Sequence, residues 1–194
     1  PLSGILTTAK LLLKKLGDHG LATEELPSAR QYLELIASES ARCGEIVKNL
    51  LQFVRPSRPH FQPHDVNELI RQSLRLIQHK IELMSVQTDV QLDPAIPPIV
   101  CDGQQIRQAL VALLINACEA MRPEEGVLAV RSRFLPDAHQ IEIAISDNGI
   151  GMDEETQRHI FEPFFTTKEK EGSLGLGLSV VLSILHRHGG EIHV

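Results

Sequence analysis

The sequence predicts an α+β protein in two parts, a helical hairpin followed by an α/β two-layer sandwich, and three observations carry that expectation. Two amphipathic helical stripes, over residues 2–16 and 28–54, are joined by a short polar loop. Past Pro56-Ser57-Arg58-Pro59 the apolar period changes, and stretches of strict alternation appear. Those stretches are interleaved with further helical stripes, the pattern of one sheet with helices on one face. The boundary is read at residue 58: residues 1–58 form the hairpin and residues 59–194 the sandwich.

The first stripe is Leu2, Ile5, Leu6, Ala9, Leu12, Leu13 and Leu16, spaced by threes and fours. Gly17-Asp18-His19-Gly20 stops it. Pro27-Ser28 restarts a helix with Ser28 as N-cap, and its stripe runs through Tyr32, Leu35, Ile36, Cys43, Ile46, Val47, Leu50, Leu51 and Val54. It ends before Pro56, because proline disfavours helix in the residue preceding it. Such a hairpin is too thin to bury both stripes, and pairing with a second copy into a four-helix bundle remedies that. Residues 66–84 read as a helix on Val66, Leu69, Ile70, Leu74, Ile77 and Ile81. Val86, Thr88, Val90 and Leu92 alternate as a half-buried strand, and Ile99-Val100 is a short one. Asp102 caps a long helix over 103–122. Residues 127–133 and 140–146 pair as a hairpin turning at Pro136-Asp137. A loop spans about 148–173, and a last helix over 175–188 ends at Gly189-Gly190 and feeds a strand reaching Val194.

Composition narrows the function. Hydrophobic residues make up 42% of the 194, enough for a core. The formal net charge is −6, from 25 acidic and 19 basic residues, which argues against nucleic acid as the partner. No stretch approaches the roughly 18 unbroken apolar residues of a membrane span, so no membrane contact is expected within these residues. No signal peptide is expected either, and the opening Pro1-Leu2-Ser3-Gly4 reads as an interior segment. Cys43, Cys101 and Cys118 are far apart and read as buried thiols of a reducing compartment.

Four segments carry chemistry. Asp147-Asn148-Gly149-Ile150-Gly151-Met152 follows an alternating strand. A carboxylate at a strand end can accept a hydrogen bond from an exocyclic amine such as adenine's, and the glycines allow close backbone approach. The same residues can equally form a plain hairpin turn, since Asn-Gly is the commonest turn dipeptide. Gly175-Leu176-Gly177-Leu178-Ser179 opens a helix, where amides and dipole favour an anion, or where small residues simply allow tight packing. It is neither a Walker A loop nor a dinucleotide fingerprint. Leu114-Ile115-Asn116-Ala117-Cys118-Glu119-Ala120 lies inside the long helix, where Asn116 or Glu119 can face a magnesium–phosphate group, or simply solvent. Phe161-Glu162-Pro163-Phe164-Phe165-Thr166-Thr167-Lys168 puts three of six phenylalanines into five residues, as a lid with apolar anchors needs.

In their order, these four segments resemble the N, G1, F and G2 boxes of the histidine kinase ATP-binding domain, the Bergerat fold of the GHKL ATPases. The resemblance covers residues 60–194. The hairpin favours the kinase branch, and Pro1-Leu2 resembles the end of the H box, His-Glu-x-x-Asn-Pro-Leu. It implies a sensor histidine kinase of two-component systems. Such an enzyme takes ATP (or ADP) with Mg²⁺, phosphorylates its own histidine and passes the phosphoryl group to an aspartate on a response regulator receiver domain. By the resemblance Asn116 is the Mg²⁺ ligand and Asp147 reads adenine. Gly149 and Gly151 shape the pocket, and Phe161, Phe164 and Phe165 anchor the lid. Thr167 and Lys168 face the nucleotide, and Gly175, Leu176, Gly177 and Leu178 hold its phosphates.

The departures are Ala112, where the family often has a second Asn, and Ser173-Leu174, where it has Gly-Thr. The resemblance further implies a homodimer through residues 1–56 and a cytoplasmic location, which a parent anchored in the inner membrane would also satisfy. The acceptor histidine is expected just upstream of Pro1, so the hairpin is read as truncated at its N-terminus and the sandwich at its C-terminus. Residues 1–194 alone are then expected not to autophosphorylate. All nine histidines present are read as surface or structural. The alternative is a nucleotide-binding pseudokinase or a non-kinase GHKL ATPase, for which Glu119 is the candidate general base.

Overall fold

A computed structural model describes residues 2–16, 26–54, 60–167 and 175–194. They fall into two compact units, one holding the first two helices and one holding everything from residue 60 onward. The first unit is α1 (Leu2–Leu16) and α2 (Leu26–Val54). Thr8, Leu12 and Ala29 are buried, whereas Leu6, Leu11, Leu13, Leu33 and Leu35 stay exposed. α2 begins two residues before the expected cap, so Ser28 lies in its first turn and is not the N-cap. The physical reason is Pro27, whose fixed φ and missing N–H suit a first turn. The loop read at residues 17–20 and the linker at 56–59 lie outside the described residues.

The second unit runs β1 (Gln62–His64), α3 (Val66–Leu83), β2 (Gln87–Leu92), β3 (Ile99–Cys101), α4 (Gly103–Ala120), β4 (Val127–Leu135), β5 (Gln140–Asp147), α5 (Glu154–His159) and α6 (Gly177–Arg187). One sheet has the order β2-β4-β5, with β2 parallel and β5 antiparallel to β4. The β4–β5 hairpin is in register from Leu135 opposite Gln140 to Leu128 opposite Asp147. A one-turn 3₁₀ helix, Pro136–Ala138, closes it, with His139 in the left-handed region at φ 50°. β1 and β3 form a separate antiparallel pair. One face of the sheet is apolar: Leu128 and Val130 are fully buried against α3, α4 and α6 in a core with Ile70, Leu114, Cys118 and Val181. The other face carries the ion pairs Arg131–Asp89 and Arg133–Glu142. This is the expected two-layer sandwich.

Asp65 and Asp102 cap α3 and α4, each carboxylate accepting from two first-turn amides. The buried polar groups are paired as burial demands. Ser132 donates to Asn67 Oδ1 at 2.7 Å while Asn67 Nδ2 donates to the Asp93 carbonyl at 2.8 Å, which ties α3 to the turn between β2 and β3. Three expectations need correcting. The 148–173 stretch is not all loop, because α5 forms inside it on the Asp153 cap. The last helix starts at Gly177, two residues later than read, because Gly175 takes φ +64°, outside the helical region. No strand forms over 191–194: Ile192 packs on the core, but no strand among the described residues pairs with that segment.

Candidate functional site

The site is built around the C-terminal half of α4. Residues 112, 116 and 120 lie one turn apart on one row of that helix. Ala112 and Asn116 are half-buried. The row ends at Ala120, whose carbonyl is one of the last four that a helix leaves without an internal partner. It accepts the Ile150 N–H at 3.0 Å. A Cβ on Gly149 would lie 2.5 Å from that carbonyl oxygen and 2.7 Å from the Ala120 methyl, so only glycine lets the loop seat there. The loop that follows β5 is thereby docked on the helix that carries Asn116.

Asp147 is the last residue of β5 and is exposed. Its Oδ1 accepts the Gly149 N–H at 2.9 Å, which fixes the carboxylate at the mouth of the turn. Asn148 holds the turn from its other side, accepting from Val127 N at 2.7 Å and donating to the Glu125 carbonyl at 2.9 Å. Gly151 has φ +68° with open space around it. Ile150 and Met152 leave the turn exposed. Beneath lies Cys118, fully buried. Burial pushes its thiol pKa up, Lys80 pulls it down, and the carboxylates of Glu119 and Asp147 push it up again. Glu119 is not idle there, since Lys80 Nζ of α3 lies 2.7 Å from its Oε1.

The aromatic segment and the Gly-x-Gly segment meet each other. Phe164 takes φ +70°, and its N–H donates to the Gly175 carbonyl at 3.0 Å. Gly175 is itself at φ +64°, and a Cβ there would collide with the Phe165 carbonyl oxygen. Phe161 and Phe165 are half-buried and Phe164 is exposed. The Phe165 ring lies 5.8 Å from that of His159, which is held by Glu162 at 2.9 Å. Thr167 is exposed, and Lys168 lies outside the described residues, as do Ser173 and Leu174.

α6 begins at Gly177 behind Leu176, a buried N-cap whose side chain has no acceptor to offer the first-turn amides. Leu178 is half-buried and a Cβ on Gly177 would meet open space. The buried Val181 and Ile184 pack α6 into the core that α4 shares. The two glycine segments are thus mounted on the sandwich's layers, with the Asn116 row docked directly against the first of them. Asn148, Ala120 and the Lys80–Glu119 pair were not picked out from the sequence. Asn148 lies inside the first motif, as half of its Asn-Gly turn, but nothing local marks it as a clamp; the ion pair joins residues 39 apart and leaves no local signal.

Residues 101–194 match the family described as histidine kinase-, DNA gyrase B- and HSP90-like ATPase, and residues 1–59 match the His Kinase A (phospho-acceptor) domain. The catalytic domain of histidine kinase ThkA superposes with a TM-score of 0.59 at 31% identity, covering 66% of this chain and 81% of that one. The chain belongs to the sensor histidine kinase family.

Among relatives of this kinase chain, sporulation kinase E of Bacillus subtilis is 35% identical over 163 residues, 84% of this chain and 22% of its own length. Sensor histidine kinase ZraS of Klebsiella oxytoca is 34% identical over 192 residues, 99% of this chain and 39% of its own length. The chain therefore spans well under half of the curated relatives it matches. A structure of ThkA in complex with response regulator protein TrrA aligns with a TM-score of 0.69 at 26% identity over 97% of this chain. The ATPase-type domain of this kinase chain is a nucleotide-binding fold. Among the described residues, no helix is long and apolar enough to cross a membrane.

Proposed function

We propose that this chain is the core of a kinase that binds Mg²⁺-ATP in its second unit, phosphorylates a histidine, and passes the phosphoryl group to an aspartate of a response regulator. The observation that carries the proposal is the docking of the Asp147–Gly151 turn on Ala120 of the Asn116 helix. One rigid element then holds an adenine-reading carboxylate and a metal-facing amide together. Asp147 accepts a hydrogen bond from the adenine amine, and the turn's glycines admit the ring. The N-terminal amides of α6, with the helix dipole behind them, take the phosphates. Phe161 and Phe165 root one end of the lid, and the Phe164–Gly175 bond ties that end to the phosphate turn.

The donor set fits magnesium rather than a metal held by protein alone. No cluster of three His, Cys, Asp or Glu able to hold a metal occurs among the described residues. Mg²⁺ is commonly bound by one or two protein oxygens plus phosphates and water, and Asn116 supplies such an oxygen. When bound, the ion neutralises charge on the transferring phosphoryl group.

The acceptor imidazole belongs to the His-Glu-x-x-Asn-Pro-Leu signature that ends in Pro1-Leu2. Its nitrogen bonds to the γ-phosphorus as the bond from that phosphorus to the β–γ bridging oxygen breaks, and ADP is the leaving group. The phosphoryl group then moves from the imidazole to the receiver carboxylate. Residues 1–56 bring two copies together in a four-helix bundle, which covers the exposed leucines of α1 and α2. The site of action is cytoplasmic.

The test is calorimetric titration of ATP and ADP, with and without Mg²⁺, against the chain and its Asp147→Asn variant. Losing the charged acceptor costs about 1–3 kcal/mol of nucleotide affinity. Equal affinity in the two proteins sinks the adenine assignment, and no binding by either sinks the nucleotide site.

A further inference from the structure

α4 and α6 are joined at the end remote from the glycine turns. The N–H of Asp102, the N-cap of α4, donates to Nε2 of His188, the C-cap of α6, at 3.0 Å. The other ring nitrogen, Nδ1, lies 2.8 Å from the Ile184 carbonyl on the preceding turn of α6. A carbonyl only accepts, so Nδ1 carries the hydrogen and Nε2 is the bare acceptor. Both ring nitrogens are thus committed, one to each helix. α6 and α4 share one core, with Asp102 and His188 at one end of α6 and Gly177 at its other end. At about 1.5 Å per residue, the 11 residues of α6 make an arm of roughly 16 Å between latch and phosphate turn.

The segment by which the chain enters this unit holds the same latch. Phe61 sets its ring edge-on to the His188 imidazole, with centroids 5.0 Å apart and planes at 61°. The His60 N–H donates to Asp102 Oδ2 at 3.0 Å. Gln105 Nε2 donates to the same oxygen, and the Gln104 and Gln105 amides to Oδ1. One carboxylate and one imidazole therefore gather three things: the entry segment, the start of α4 and the end of α6. Beyond the latch, apolar packing through Val181 and Ile184 sets the seat of α6, and such packing resists separation better than sliding.

We propose that His188 is a positioning residue for the phosphate end of the nucleotide site, and that Phe61 acts on that site through it. This rests on the reading of Gly175–Leu178 as the phosphate turn. His188 touches no nucleotide; it fixes where along α4 the α6 N-terminus is presented. Adenosine reaches Asp147 but not α6, whereas ADP needs both. A fault at His188 therefore separates the two ligands, which a general loss of stability does not.

The experiment measures Mg²⁺-ADP and adenosine affinity of the full chain and of His188→Phe, His188→Gln and Phe61→Ala. His188→Phe weakens ADP about fivefold, the net worth of one hydrogen bond, and leaves adenosine unchanged. His188→Gln, whose side-chain oxygen can accept the Asp102 N–H, stays within about twofold of wild type. Phe61→Ala shifts ADP affinity in the same direction as His188→Phe. The imidazole ¹⁵N spectrum of wild type shows the Nδ1–H tautomer. Equal losses for ADP and adenosine, a glutamine variant as impaired as phenylalanine, or a charged or Nε2–H ring overturns the proposal. ADP affinity untouched by all three substitutions overturns it alone, whereas a wild-type chain that binds no ADP overturns the phosphate-turn reading as well.

Discussion

Lys80 of α3 sets its ammonium nitrogen 2.7 Å from Oε1 of Glu119, three residues past Asn116 on α4. Glu119 is the carboxylate that a hydrolytic ATPase reading needs as its general base. A base must be free to take a proton from the attacking water, and the Glu119 carboxylate is already engaged by that ammonium. Both side chains are about one-third exposed, at 35% and 34%, so the pair contributes about 0–1 kcal/mol to stability. We therefore expect Glu119→Gln to leave nucleotide affinity and any slow ATP turnover within about threefold of wild type, a change of that same small size. Steady-state hydrolysis abolished by that substitution would instead establish the ATPase alternative.

Gly149→Ala tests the docking of the adenine turn. The new methyl would lie 2.5 Å from the Ala120 carbonyl oxygen, a backbone atom with no flexible side chain to yield. Overpacking of this kind costs about 1–3 kcal/mol, and the relief is to lift the turn off α4. ADP affinity should fall at least about tenfold, equivalent to about 1.4 kcal/mol, with a lowered melting temperature. A variant that melts early yet binds ADP normally would show that the docking matters to the fold and not to the site.

Much of this architecture was legible in the sequence, and the misses have local causes. α3, α4 and the β4–β5 hairpin announce themselves because one face of each is buried, which imposes a period. α5 carries Glu154-Glu155-Thr156-Gln157-Arg158-His159, polar all round, so no stripe exists and only the Asp153 cap marks it. β1 is three residues with Pro63 at its centre, too short for alternation and tolerated because the pair it forms with β3 has open edges. The four site segments were readable because each is contiguous. The Asp102–His188 bond joins residues 86 apart and the Lys80–Glu119 pair residues 39 apart, and no local pattern encodes either.

Asp102 makes stability depend on acid. Burial pushes its pKa up, but hydrogen bonds from the Gln105, His60 and Gln104 amides and from the Gln105 side chain outweigh that and leave it lowered. A carboxylate with a lowered folded pKa stabilises above the unfolded value, near pH 4, and loses that contribution as pH falls through the folded value. Asp102→Asn keeps one oxygen for the cap but turns an amide towards the donors on Oδ2. It should cost about 1–3 kcal/mol at pH 7. In thermal melts from pH 7 to pH 3, the gap between wild type and variant should narrow at the acid end, where the wild-type carboxyl is also protonated. A constant gap would mean that the carboxylate's charge contributes nothing.

Leu6 and Leu13 are seven residues apart on α1 and 56% and 69% exposed, although each belongs to the apolar stripe. Residues seven apart share a helix face, so the pair offers a seam to a second hairpin. The chain should sediment as a dimer at about tens of micromolar, an ordinary affinity range for such pairs. Leu6→Lys with Leu13→Lys should give a monomer that still binds ADP, because the nucleotide unit has its own core. A wild-type monomer at that concentration would count against the bundle.

The last expectation concerns the acceptor. Phosphorylation needs an imidazole held in line with the γ-phosphoryl group and help in removing its proton. No histidine lies among the described residues of α1, which falls within the stretch matching the phospho-acceptor domain. The described histidines sit elsewhere: His60 and His64 at the entry to the nucleotide unit, His79 on α3, His139 in the β4–β5 turn, His159 on α5, His186 and His188 at the end of α6, and His193 beyond it. A polypeptide restricted to residues 1–194 should therefore bind nucleotide and take no label from γ-³²P-ATP. The same polypeptide prefixed with about a dozen residues, roughly three helical turns, that place His-Glu-x-x-Asn directly before Pro1 should gain an acid-labile, base-stable phosphate. Changing the new histidine to glutamine should remove it while leaving ADP affinity unchanged. Acid-labile label on residues 1–194 alone would identify one of the nine histidines as the acceptor and overturn the H-box reading of Pro1-Leu2, whereas no label on the prefixed chain, with ADP still bound, would favour a nucleotide-binding pseudokinase.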